Sequence, residues 1–415
     1  MSLTQQNIEL WGEDMPWLVG LREKGAAAFE KNGLPNAKTE AWKYSYIKES
    51  VFNDLTIDCE PQQCSCHGEC HCHDADNLPF ETIEIPVCNG KPDPEHAELP
   101  RGLVIKPLAE AIYDKEAQKY LNKSFENEQF PFAALNTAYL EQGLMIVAER
   151  NTVIEKPVLL SYHSHEQNLW QNVCNLIVLE SGAQLTLLED FSGDDEFYFN
   201  NIVNEIYIGN EAVLTHYKRV KEAAAALHIA LNSVVVRQNG RYNAFCAQSE
   251  CRLARSESYI QLQQEGAEAN VNGAYRLYND GHSDITTNIR HLAAHTNSNQ
   301  LIKGVLDGSS RGVFQGQIHI APDAQQTEGY QLHRALLLSD NAEVDCKPEL
   351  EIFADDVKCS HGATSGDLDK EQLFYMQTRG IALNDAKQIL IEAYLNEALQ
   401  KVENEQLREW LKEIL

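Results

Sequence analysis

Basic residues are scarce in this chain of 415 residues: 34 Lys and Arg stand against 62 Asp and Glu, a formal net charge of −28. Nucleic acid is a poor partner for such a surface, because binding it relies on cations that neutralise phosphates. An anionic membrane is disfavoured for the same reason. A basic protein partner stays compatible, although acidity more often simply serves solubility. Long apolar runs are also missing. None approaches the roughly 18 residues that a membrane span needs. The N-terminal Met-Ser-Leu-Thr-Gln-Gln-Asn has neither a basic nor an apolar stretch, so secretion is not expected. The 11 cysteines, an odd number scattered along the chain, then read as reduced thiols of a cytoplasmic protein. Nucleotide motifs are absent too. There is no Gly-x4-Gly-Lys-Ser/Thr, no Gly-x-Gly-x-x-Gly after a strand and no Gly-x-Ser-x-Gly elbow. The chain is therefore expected to bind no nucleotide and to be no enzyme.

What is present is 43% apolar residues, enough for a large core, arranged in three regions. Residues 1–142 read as mostly helical. Trp17 to Asn32 has helical apolar spacing and stops at Gly33-Leu-Pro35. Residues 143–366 change character: short β-branched runs alternate with Gly, Asn and Asp. A weak repeat runs through Ile177–Leu188, Ile206–Tyr217, Val234–Phe245, Ile260–Val271 and Leu336–Cys346. The residue after each of the first four turns falls at Ala183, Ala212, Arg241 and Ala267, intervals of 29, 29 and 26 residues. A period in this range, built only of strands, predicts a solenoid whose coils bury their apolar faces against their neighbours. The expected fold is a right-handed parallel β-helix flanked by helical regions; a sandwich with chance spacing is the alternative. Residues 367–415 return to helix. Asp367 or Asp369 is placed to cap a segment ending at Gly380, and Asn384 to cap a longer helix with apolar positions Ala386, Ile389, Leu390, Ala393 and Tyr394.

Two constellations carry chemistry. Within residues 59–76, Cys59, Cys64, Cys66, His67, Cys70, His71, Cys72 and His73 put eight soft or imidazole ligands into fifteen residues. Cys64, Cys66, Cys70 and Cys72 are the candidate thiolate ligands for Zn, Cu(I) or an Fe–S species. The bland alternative is a polar loop that collects metal opportunistically. Near the C-terminus, Cys359 stands two residues before His361. On a strand such residues share a face, so both can reach one partner or one metal. The bland alternative is a strand end with an incidental Cys and His. His163 with His165, and His291 with His295, could form ligand pairs but read better as hydrogen-bonded surface residues. Cys174, Cys246 and Cys251 read as small buried hydrophobes.

The segments Ser298–Ile320, Asp323–Glu328, Lys347–Thr364 and Leu373–Gly380, with Leu135–Tyr139 and Glu40–Ser45 upstream, resemble the SufB/SufD family of iron–sulfur cluster assembly proteins. The Cys359-Ser-His-Gly-Ala-Thr364 form looks like the SufD branch. Lys38 stands where the family's N-terminal motif usually has Arg, and the Cys/His insert is outside the usual pattern. The resemblance implies a parallel β-helix core and a cytosolic complex with a SufB-like paralogue and a SufC-like ATPase. It implies that the C-terminal helices dock the ATPase and that the β-helix end pairs with the paralogue. His361, with Cys359 beside it, then falls at the interface where a transient iron–sulfur cluster forms. It leaves open whether flavin binds the complex and whether the isolated chain is a homodimer. Two rivals belong to other classes: a secreted-type β-helix polysaccharide lyase or hydrolase, which the leaderless N-terminus disfavours, and a metal-binding protein acting through the insert.

Overall fold

The computed structural model describes residues 10–57 and 78–415. From Leu144 onward consecutive strands alternate between two ten-stranded sheets, each parallel except for one antiparallel pair at its first end, so that each coil contributes one strand to each. The result is a parallel β-solenoid of about eight coils with helices at both ends of the chain. Aliphatic residues stack in file inside it. Ile206, Val234, Ile260, Ile289 and Ile318 pair rung upon rung and are fully buried. Each such side chain contributes about 1.5–3 kcal/mol by leaving water, but only because the next coil covers it.

The turns explain why Gly and Asn recur in the sequence. Asn151, Gly182, Glu211, Asn239, Gly266, His295 and Gln326, one per coil, adopt left-handed backbone with φ between 52° and 73°. Gly and Asn tolerate that region best. The stacked turns bond to one another: the N–H of Gly182 donates to Asn210 O, that of Glu211 to Gln238 O and that of Asn239 to Glu265 O, at 2.8–3.1 Å. The register corrects one reading of the repeat. Gln184 pairs with Val213, Val213 with Arg241 and Arg241 with Glu268. The equivalent of Ala183, Ala212 and Ala267 is thus Gly240, not Arg241, and the intervals are 29, 28 and 27. A slip of one residue would have turned Arg241 into the core.

The expected boundary at 143 also falls too late for the sheets. Ile83–Cys88 already pairs in parallel with Val158–Ser164, and Leu103–Pro107 lies antiparallel to Leu144–Ala148. The first of these strands does alternate, Ile83-Glu-Ile-Pro-Val87, but Pro86 inside it reads as a break. With the antiparallel pair formed by Lys91–Pro92, these strands close the first end of the rod. Helix Pro16–Asn32 packs on helix Pro131–Ala138 above them. Gly25 allows the crossing, since a Cβ there would stand 2.7 Å from Ala134 O and Ala138 N. Asn136 fixes the second helix by donating to Val173 O and Asn201 O, both at 3.0 Å. The Glu40–Ser45 segment straps the outer face of one sheet. Trp42 lies under the Arg255 guanidinium (4.0 Å), Ser45 donates to Asp284 (2.5 Å), and Glu40 meets Lys347 of the last coil (2.7 Å).

Helices Leu383–Leu399 and Glu405–Lys412 fold back along the outer face of the other sheet. Leu395, Leu399, Leu407, Trp410 and Leu411 cluster with Leu188, Phe245 and Leu301. The buried Lys303 donates to Tyr394 O (2.8 Å) and pairs with Glu397. Asn384 is not the cap of the longer helix. It lies inside the first turn, after an N-cap Ala382 that makes no side-chain bond. Asp369 does cap Lys370–Thr378, accepting from the N–H groups of Glu371 and Gln372, and Gly380 turns the chain with φ 87°.

Candidate functional site

Strands Glu343–Ile352 and Val357–Gly366 are the last in their sheets, each paired on one side only. Burial collapses there. Strand Leu227–Val236 is buried at every position, whereas Val357–Gly366 has no buried residue. Among the described residues no helix caps this end, because the C-terminal helices lie along the flank. The interior of the last coil is therefore open.

Cys359 and His361 sit on this final strand, and the register decides which way they point. Cys359 pairs with Gly329 and His361 with Gln331, and both partners belong to the buried, inward file of the coil below. The two side chains thus share the inward face, as their spacing predicts. Cys359 packs with Ile318 and Leu350, and its Sγ would stand 3.5 Å from a Cβ at Gly329. Burial pushes its thiol above the ordinary range. His361 is exposed, and the described residues make no hydrogen bond to its imidazole. Both lie on the last rung itself rather than beyond it.

The other candidates are dispersed. His291 is buried and bonded to Thr296 Oγ1 (2.8 Å) and Ser298 Oγ (2.9 Å), while His295 occupies a left-handed turn facing Glu265. They form no ligand pair. His163 meets Ser192 Oγ at 3.1 Å and His165 meets Cys88 Sγ at 3.6 Å. Cys174 and Cys251 are buried, and burial raises both thiols; Cys246, also raised, is only partly covered. Cys59, Cys64, Cys66, Cys70 and Cys72 lie outside the described residues. Among the described residues no three His, Cys, Asp or Glu side chains converge as a metal site. No helix among them is long and apolar enough to cross a membrane.

One contact escaped the sequence. Cys346 Sγ lies 3.0 Å from His333 Nδ1, and His333 Nε2 lies 2.9 Å from Tyr275 OH. His333 and Cys346 lie on consecutive strands, one in each sheet, and meet across the interior, whereas Tyr275 lies 58 residues before His333 and reaches it only when the coils stack. The exposed helix Lys370–Thr378 is the second uncovered feature. It buries no residue, and Phe374 and Tyr375 are 69% and 58% exposed.

Fold and site together define a β-solenoid protein closed at one end and carrying thiol and imidazole groups at the other. Two family models cover nearly all of it: the SufBD protein N-terminal region over residues 2–160, and the SufBD core domain of SUF-system FeS cluster assembly over residues 162–394. The chain belongs to this SufBD family, and its field of action is iron–sulfur cluster assembly. It is 28% identical to an iron–sulfur cluster assembly SufBD family protein of Synechocystis, over 93% of this chain and 87% of the relative. It is 28% identical to the iron–sulfur cluster assembly protein SufD of Escherichia coli, over 91% and 88%. Against SufD of Bacillus subtilis it is 26% identical over 100% and 98%.

Proposed function

We propose that this chain is a non-catalytic scaffold subunit that carries a growing iron–sulfur cluster at the open end of its solenoid. The observation behind this reading is the uncovered last coil, with Cys359 and His361 inward on one face. An exposed parallel edge favours pairing with another chain, and a SufB-like paralogue supplies a solenoid end of the same kind. Imidazole and thiolate both suit iron. The cluster is cargo, handed on after assembly. A SufC-like ATPase docks on the helix Lys370–Thr378, where Phe374 and Tyr375 offer exposed aromatic surface, the Tyr375 hydroxyl bonded, among the described residues, only to Arg379 of the same segment. The complex works in the cytoplasm. Co-purification of the full chain with its paralogue and ATPase tests the reading, with an alanine at His361 as probe. A complex that forms but no longer supports cluster assembly is the expected result. A chain that co-purifies with neither subunit would remove the scaffold role.

A further inference from the structure

The Cys346–His333 contact is built more carefully than a chance meeting of two side chains. The His333 imidazole is fully buried and stacks on Phe314, with centroids 5.1 Å apart and planes 8° off parallel. Its Nε2 is held by Tyr275 OH at 2.9 Å. Tyr275 in turn is immobilised by two glycines: a Cβ at Gly304 would stand 2.1 Å from its ring, and one at Gly312 2.6 Å from its hydroxyl. The Nδ1 atom is thereby aimed at Cys346 Sγ, 3.0 Å away on the last coil, where the thiol is only partly buried and no further coil covers it. The other thiol–imidazole contact, Cys88 with His165, is longer at 3.6 Å and sits at the closed end.

We propose that Cys346 Sγ and His333 Nδ1 form a half-site for one thiophilic divalent metal ion of the zinc or ferrous class, its remaining positions open to water or to another chain. The Tyr275 contact fits a ligating histidine, which typically donates its second ring N–H to a fixed acceptor. That places the proton on Nε2, toward the Tyr275 oxygen, and leaves the Nδ1 lone pair free. On binding, the Cys346 S–H bond breaks, its proton passes to water and the sulfur–metal bond forms. Metal–sulfur and metal–nitrogen bonds of about 2.3 and 2.0–2.1 Å at a tetrahedral angle need the two atoms roughly half an ångström further apart. A small χ1 rotation of the partly exposed Cys346 supplies that. The inference concerns the isolated chain and does not depend on the partners proposed above.

The test uses the full chain with Cys59, Cys64, Cys66, Cys70 and Cys72 changed to Ser, so that the insert contributes no thiolate. Titration with Co²⁺ alone should give a thiolate-to-cobalt charge-transfer band that saturates at one equivalent. Cys346→Ser should abolish the band, and Cys359→Ser should leave it. Tyr275→Phe keeps the packing and removes only the hydroxyl; it should weaken binding by about tenfold or more. His333→Gln should do at least as much, and a melting curve checks that it folds. No saturable band in the insert-silenced protein would overturn the proposal. So would a band that survives Cys346→Ser, one lost in Cys359→Ser, or cobalt affinity unchanged in Tyr275→Phe.

Discussion

At the scale of single residues, position on the last rung separates function from stability. His361 is exposed and supports no packing, so His361→Ala should change unfolding free energy by no more than about 0.5 kcal/mol, while a strain relying on this subunit loses cluster assembly. Complementation beside a melting curve checks this, and full complementation would remove His361 from the mechanism. Cys359→Ser trades a thiol packed against Ile318 for a hydroxyl, and should be milder unless the sulfur binds iron. Buried histidines set the acid limit of the fold. His282, His291 and His333 are each held down to about 4 by burial. In the unfolded chain they take up protons near 6.5, so the unfolded state binds more protons between these values and stability falls as pH drops from about 6.5 to 4. Each contributes on the order of 3 kcal/mol to that loss. His291 serves no site, so His291→Gln should flatten the dependence of the melting temperature on pH across this window; an unchanged slope would exonerate it. The sequence showed that Cys359 and His361 share a face, because strand periodicity is local. It could not show Cys346 beside His333, because that contact crosses from one sheet to the other inside the solenoid, and the periodicity of a single strand does not say which inward residues of the two sheets meet.

At the scale of elements, the left-handed file of turns is the device that keeps the coils in phase. Glu211 holds φ 59° without a glycine's freedom, whereas Gly266 sits at φ 73° with Asn239 Oδ1 2.1 Å from where a Cβ would be. Glu211→Gly should therefore cost nothing or stabilise by up to about 1 kcal/mol, and Gly266→Ala should destabilise by about 1–2 kcal/mol. Denaturant unfolding of both variants measures the contrast, which equal effects would refute. Glycine and asparagine make this file partly legible in the sequence; Glu211, His295 and Gln326 carry no such signature, while at Asn239-Gly240 both residues carry it, which leaves the register there ambiguous by one residue. The C-terminal helices teach the opposite lesson. Of the stripe expected on the longer helix, Leu390 and Tyr394 pack with Leu395, Trp410 and Leu411 on the chain's own flank, while Ile389 and Ala393 stay exposed. Deleting 367–415 would strip that flank and confuse unfolding with lost binding. The cleaner probe is Phe374→Ser with Tyr375→Ser on a helix that buries nothing. It should abolish ATPase capture in a pull-down and leave the melting temperature in place.

At the scale of the whole molecule, the solenoid is readable because its period is written in the sequence, while the early strands at 83–107 stand outside that period and the first carries Pro86. The two ends of the rod differ, and that difference counts. Antiparallel strands and helices finish the first end; the second stops on bare edges. A rod sticky at both ends would grow head to tail into fibres. This one has a valence of one. When its open end meets another, whether a second copy or a paralogue, both are used up and nothing is left to add to. Sedimentation at rising concentration should accordingly show monomer giving way to a two-chain particle and no larger series. The bare edge bears on stoichiometry as well as adhesion: a joint that occurs once per particle would, on the proposed function, hold the number of clusters under construction to one.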